Sequence, residues 1–362
     1  MVPQRKLARR VFVSEATLAD AINAPGLYRL KDSRALVVTD PELARAVLGA
    51  PAIFQPASIL GPAMTTHFGR SDPARGARAL APLPPRALFG GLARLRPVIE
   101  ALEERLALET GEVDIAPLLD HAAGAACVAL WTSCDTREPE GAELLRLLRL
   151  MEGAQEAALP GGVPEDGEAV GSFAWNLDRA IAAHAGGDDL IGGLSGAADG
   201  DLDLVRHRIG GALAVGAPTL GTVLTWTLDT LSRAPDRAAE ARQAAQASAQ
   251  PDAAALIALT PVHGTLDEVG AEHPPIRLVR FRAADKGRIG VWPVWSGEDI
   301  FVDCEAIGPV APLSGDLRFL AGLLLAAALR ARRYSAAGPA PMPHVGVFGR
   351  PAGGARLVLS AP

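Results

Sequence analysis

The sequence is short of the residues that announce a disulfide, a metal or a nucleic-acid surface. Cysteine occurs three times in 362 residues, at Cys127, Cys134 and Cys304, with no Cys-x-x-Cys pair and no Cys/His metal spacing. That excludes a disulfide scaffold and fits a reducing compartment, with all three thiols expected in the core. Basic runs are missing and the net charge is −6, which argues against a general nucleic-acid binder. No apolar segment follows the charged MVPQRKLARR, so a secretory signal is not expected. The glycine-rich stretch 186–203, GGDDLIGGLSGAADGDLD, has no Gly-Lys-Ser/Thr and no strand ahead of it, and reads as a turn-rich loop rather than a phosphate loop.

What is present is apolar bulk. Hydrophobic residues make up 49% of the chain, enough for a sizeable core in one large domain or two ordinary ones. Bias toward Ala, Arg, Gly and Pro is that of a GC-rich bacterial genome. Two stretches approach a membrane span. The first, 209–228, is interrupted by Gly216, Pro218 and Gly221. The second, 317–331, is too short. Both predict buried helices, no membrane, and a cytoplasmic protein.

Along the chain, Ser14 is placed to cap a short helix to Ile22. LYRLK and ALVVTD predict strands, and Pro41 opens a helix with Leu43, Ala44, Val47 and Leu48 on one face. Residues 53–69 read as a loop with several breakers. Helices are predicted over 92–107, 113–132, 137–157, 169–184, 204–234 and 236–249, the helix of 113–132 carrying His121 on an apolar background. IRLVRF, RIGVW and DIFVD predict three strands, with Ser296-Gly297 as the turn before the last. Residues 317–334 predict a helix apolar on nearly every face, the mark of a central core helix. Residues 344–360 predict a closing hairpin around Pro351–Gly354.

Several of these segments, in this order, resemble cytochromes P450. Phe319, Leu320, Gly322, Leu325 and Ala326 match the stretch Phe-Cys-x-Gly-x-x-Leu-Ala, whose Cys is the haem ligand in that family, and Leu320 stands at the Cys. Gly216, Ala217, Pro218, Thr219 and Leu220 match the motif Ala/Gly-Gly-x-Asp/Glu-Thr-Thr of the long helix crossing the distal haem face. Gly216 and Thr219 keep the pattern, Pro218 replaces the acid, and a helix kink is expected there. Glu268 keeps the Glu of Glu-x-x-Arg ahead of Pro274-Pro275, with Ala271 at the Arg. Arg78 matches the Arg of the propionate-binding His-x-x-x-Arg, with Ala74 at the His, and Arg280 falls near the second propionate Arg. Only EAIGPVAPLSGD (305–316) remains where the family has a meander and ligand loop.

The resemblance implies a mainly α fold with a smaller β-rich lobe, shortened before the ligand-loop helix. Residues 1–362 would form a single domain, with 27–52, 276–303 and 344–360 in the β-rich lobe and 92–250 and 317–334 in the helical lobe. Loss of the thiolate removes the axial ligand that drives O–O cleavage, and Cys304 lies at the wrong end of the shortened loop to replace it. The expectation is a haem-free protein with no metal, not a monooxygenase. Haem-less relatives in bacterial natural-product and antibiotic pathways are auxiliary proteins of glycosyltransferases. The resemblance therefore implies a biosynthetic partner enzyme, possible binding of a hydrophobic small molecule, and no nucleic-acid partner. The alternative is a cofactor-independent cyclase, isomerase or dehydratase in the old pocket. Its polar candidates are His67, Thr219, Arg78 and Arg280, with Glu152 or Glu156 on a lid helix. Arg78 and Arg280 are otherwise expected to meet carboxylates or solvent.

Overall fold

The computed structural model describes residues 15–31, 33, 35–68, 85–151, 159, 166–247, 259–307, 313, 315–344 and 346–362. Arg78, Ala74, Glu152, Glu156 and Ser14 lie outside the described residues.

The run Leu36–Val38 is apolar at every position and fully buried, as a strand covered on both faces requires. It is β3 of a six-stranded sheet. The others are β1 (Glu15–Ala16), β2 (Leu27–Leu30), β4 (Phe54–Pro56), β6 (Leu278–Ala283) and β9 (Asp299–Asp303), in the order β1-β2-β3-β9-β6-β4. Side chains alternate between the faces. Leu36, Val38, Ile300 and Val302 pack on one side with Leu43, Ala44 and Val47 of a helix, Pro41–Leu48. Val37, Phe301 and Leu278 pack on the other with Phe348. Asp40 starts that helix by accepting the Glu42 and Leu43 N–H groups at 2.9 and 3.1 Å. RIGVW does not run as one strand. It folds back at Gly290 (φ 62°) into a hairpin of β7 (Gly287–Ile289) and β8 (Trp292–Val294), because a two-residue turn takes a positive φ most readily at glycine.

The described helices are α1 (Leu18–Ala21), α2 (Pro41–Leu48), α3 (Pro62–Phe68), α4 (Pro85–Leu108), α5 (Ala116–Thr132), α6 (Pro139–Leu150), α7 (Gly167–His184), α8 (Leu190–Ala197), α9 (Leu202–Gly211), α10 (Ala217–Arg233), α11 (Pro235–Ala247), α12 (Thr260–Glu272), α13 (Cys304–Ile307) and α14 (Gly315–Ala331). A π-helical segment, Ala212–Gly216, joins α9 to α10. Helices α4, α5, α10 and α14 pack against one another around the largest apolar core. Helix α5 is rich in Ala and Gly over Ala122–Ala126, so its backbone comes close to its neighbours. Helix α14 is buried from Phe319 to Leu329, each fully buried Leu contributing about 1.5–3 kcal/mol. The long run Leu202–Arg233 is apolar enough to cross a bilayer, yet 83% of its apolar window is inside the protein, as for a core helix.

Several boundaries depart from the sequence reading. Thr17, not Ser14, caps the first helix, and Glu15–Ala16 is a strand. Residues 53–69 contain β4 and α3, and 186–203 contains α8. The polar and glycine content of those stretches hid short amphipathic turns such as Leu190, Ile191 and Leu194, all buried. Residues 344–360 do not form one hairpin in the β-rich lobe. β11 (Arg356–Ser360) pairs antiparallel with β10 (Arg333–Ala336) and with β5 (Gly111–Asp114), and Leu357 and Leu359 join the helical core. The alternating apolar residues were legible, but their strand partners lie far away in sequence.

One polar cluster ties four helices. Asp189 caps α8, its Oδ1 accepting the Gly192 N–H at 3.0 Å. Its Oδ2 lies 2.5 Å from Nδ1 of His184 at the end of α7 and 3.7 Å from Arg94 of α4. Arg94 donates to the Ser133 hydroxyl at 2.8 Å, just past α5. Burial opposes the Asp189 charge, but the Gly192 N–H, His184 and Arg94 outweigh it and hold its pKa below the usual 3.8. The stabilisation is therefore present above the unfolded pKa and is lost as pH falls through the folded one. Asp189→Asn should lower the unfolding free energy by about 1–3 kcal/mol at neutral pH. In urea titrations, the gap to the parent protein should close as the pH drops below 3.8.

Candidate functional site

The place to look is where the π segment and α10 meet α14. Pro218 has no N–H and cannot donate to the carbonyl four residues back. The chain answers with a widened π turn over Ala212–Gly216, and Pro218 falls at the start of α10. So the expected distortion is present as an extra residue in the turn, a common device in helices. Thr219 follows, 3% exposed, its hydroxyl donating to the Val215 carbonyl at 2.6 Å. That bond satisfies the donor locally and leaves Thr219 poorly placed to move a proton to anything else.

Gly216 faces α14 directly. A Cβ on Gly216 would sit 3.2 Å from Cδ2 of Leu317. Leu320, one turn further along, is 1% exposed in the same core. On another side of α14, a Cβ on Gly322 would run into the ring of His263 on α12. His263 is buried, its Nδ1 has no partner among the described residues, and its pKa is lowered by burial and by Arg318 against the pull of Asp267. It packs as a neutral ring on a glycine. These contacts wedge the start of α14 between α10 and α12.

The space between α10 and α14 is narrow at Gly216. A flat ring laid between two helices needs van der Waals contact on both faces, about 7 Å from one wall to the other, whereas Leu317 already touches the Gly216 backbone. Leu320 offers no lone pair to iron. All three thiols are buried. Burial, together with Asp303 and Glu305, pushes the Cys304 thiol up to about 12, so it is not a thiolate at neutral pH. Among the described residues no group of three His, Cys, Asp or Glu could hold a metal.

The remaining candidates are dispersed. Arg280 donates to Asp299 Oδ2 at 2.8 Å and to the Ser58 carbonyl at 3.1 Å. Both bonds lie within the β-rich lobe and give the guanidinium a fixed carboxylate. His67 lies half-buried on α3 beside Phe68, ring centroids 6.0 Å apart, and no hydrogen bond joins it to Thr219 or Arg280 among those described. His121 is exposed on α5, with its pKa lowered by desolvation and by Arg149. Glu268, whose family partner would be at position 271, instead meets Arg237 of α11 at 2.6 Å across an exposed surface. Among the described residues, those nominated from sequence thus do not converge on an acid–base pair.

Other polar groups escaped the sequence reading. Arg277 is 6% exposed and lies 3.6 Å from Asp303 and 3.1 Å from Glu305. It begins the β6 side of the β6–β9 pairing, where Leu278 faces Asp303. Within IRLVRF, nothing but the preceding Pro-Pro distinguished this Arg from Arg280. Arg350 of the C-terminal loop, 3.4 Å from Asp120 of α5, gave no signal at all, because the two are joined only by tertiary structure.

Comparison with solved structures gives a uniform result. The haem domain of cytochrome P450DA matches with a TM-score of 0.70 and 17% identity, over 96% of this chain and 93% of that one. Retinoic acid-bound cyanobacterial CYP120A1 matches at 0.67 and 16%, over 93% and 91%. A further cytochrome P450, CYP102L1, matches at 0.67 and 15%, over 94% and 96%. No family model and no curated protein matches the sequence. At such identities the likeness establishes the fold, mainly α with a smaller β region, and not the chemistry.

Leu320 is buried in the helical core. Leu320→Ala should cost about 2–5 kcal/mol of stability, read in urea as a lower midpoint with an unchanged slope.

Proposed function

We propose that this cytochrome P450 fold works without haem, as an auxiliary protein that binds and activates a biosynthetic enzyme of a bacterial natural-product pathway. A glycosyltransferase is the first partner to test. The observation that carries this reading is the close approach of Leu317 to Gly216, which supports a closed rather than an open space between α10 and α14. Support also comes from Leu320 in place of a thiolate and from Pro218 in place of the distal acid. The cofactor-independent enzyme draws less support. Thr219 spends its hydroxyl on Val215, Arg280 is engaged by Asp299, and His67 has no polar partner from the candidate set. On this reading the surface, not the pocket, is the means of action.

Protein produced with excess haem precursor should be colourless, with no Soret band, and Leu320→Cys should be equally colourless. A Soret band in the parent protein would overturn the haem-free reading. A band in the Leu320→Cys protein would show that the missing thiolate alone, not the Leu317 contact, excludes haem. Co-expression with a glycosyltransferase of the same gene cluster should give a stable complex with raised transferase activity. Turnover of a pathway intermediate by the isolated chain would replace this reading with the enzyme.

A further inference from the structure

We infer that the groove between α6 and α7 binds a neutral sugar in its pyranose form, seated against the indole of Trp175. The groove has a volume of about 500 Å³, within the range of small-molecule sites, roughly 300–1,000 Å³. One wall is a single stripe of α7, on which Glu168, Gly171, Ser172, Trp175 and Asn176 follow one another at helical spacing. The other wall is Glu143 and Arg146 of α6. The inference goes beyond the auxiliary role proposed above and does not rest on it.

Trp175 is not among the residues that pack α7 onto the core. The buried face of that helix is carried by Val170, Phe173, Ala174, Leu177 and Ile181, whereas Trp175 stands on the polar face, 60% exposed. Its ring is nevertheless held. The Arg179 guanidinium, one turn on, lies over the indole 4.9 Å from its centroid. That contact covers one face, and the rest of the ring lines the groove. Gly171, one turn back on the same stripe, keeps the space beside the indole clear, since a Cβ there would meet nothing within 4 Å. A fixed aromatic surface with room next to it is a platform for a ring-shaped ligand.

The polar groups around the platform are balanced in charge but not exhausted in hydrogen bonding. Arg146 makes a two-pronged pair with Glu143, Nε to Oε2 and Nη2 to Oε1, both at 2.7 Å. The two charges cancel, yet Nη1 keeps its N–H groups and each carboxylate oxygen keeps a further lone pair. Glu168 is exposed and is matched in sign by Arg179. Asn176 donates Nδ2 to the Ser172 carbonyl at 2.9 Å, which fixes the amide and leaves Oδ1 to accept. With two acidic and two basic side chains, the groove favours neither an anion nor a cation. A pyranose carries C–H groups on its faces and hydroxyls around its edge. The faces lie against an indole, and each hydroxyl both donates and accepts. A flat aromatic molecule would stack as well but would leave Glu143, Arg146 and Asn176 with nothing to bond.

The test is saturation-transfer NMR on the full chain with methyl β-D-glucopyranoside, methyl β-D-galactopyranoside and methyl α-L-rhamnopyranoside, against sorbitol and benzyl alcohol. At least one pyranoside should bind saturably with a Kd of about 10 mM or tighter, its ring C–H protons receiving the strongest signal. Sorbitol has the hydroxyls without a ring face, and benzyl alcohol has a ring face with a single hydroxyl, so neither should bind as tightly. Trp175→Ala removes the platform and Gly171→Leu fills the space beside it, and each should weaken the affinity about tenfold or more. Neither change disturbs packing, because Trp175 is exposed, a side chain on Gly171 enters open space, and leucine favours the helix. Circular dichroism confirms that each variant is folded, and should one be unfolded the other decides the question. Absence of saturable binding by all three pyranosides overturns the inference. So does sorbitol or benzyl alcohol binding as tightly as they do, or an affinity unchanged in a folded Trp175→Ala or Gly171→Leu.

Discussion

Everything in the helical half depends on how closely α10 can be approached. It is touched at Gly216 by Leu317 of α14 and at Gly221 by Asp120 of α5. Both contacts exist because glycine gives the backbone no side chain to hold neighbours off, and interiors are packed too densely to leave such a gap unfilled. With α14 against it on one side and α5 on another, the helix has little freedom to open a wide pocket. Burial of Leu320, Leu323 and Leu324 beside it then makes opening costly, since each side chain withdrawn from the core would leave a cavity.

The fold resemblance was legible because several segments keep the order and spacing they have in that fold. The apolar run Phe319–Leu329, the Pro-Pro before β6 and the long apolar helix carry packing information that survives when catalytic residues are replaced. What closes the site was less legible. Leu320 could be singled out from the local pattern, but the approach of Leu317 to Gly216 joins residues about a hundred positions apart and has no local signature. The same holds for Arg277 with Asp303 and for the Asp189 cluster, each assembled from separate elements. Local pattern also failed where strand partners were remote, as with β11, or where one glycine turned an apolar run back on itself, as at Gly290.

The polar groups that remain buried divide into two kinds. Arg277 sits between Asp303 and Glu305, and burial raises the Asp303 pKa despite the arginine, so the pair fixes geometry at some expense of stability. Thr219, Thr225 and Thr227 of α10 hydrogen-bond to their own helix and contribute no open chemistry, whereas buried Thr222 does not. The described polar residues thus serve mostly as fasteners between elements, and the hydroxyls of Ser195 and Thr222 are the buried ones without a partner among them.

The π turn at Ala212–Gly216 carries a consequence for how related chains are to be aligned. One additional residue in a turn rotates the helix on its N-terminal side by about 100° relative to the helix on its C-terminal side. The inward-facing set of Leu202–Gly211, with Val205 and Ile209 buried, is therefore out of phase with the inward-facing set of Ala217–Arg233. An alignment carried across 212–216 to a helix without such a turn therefore has to allow for one residue there to keep both halves in phase.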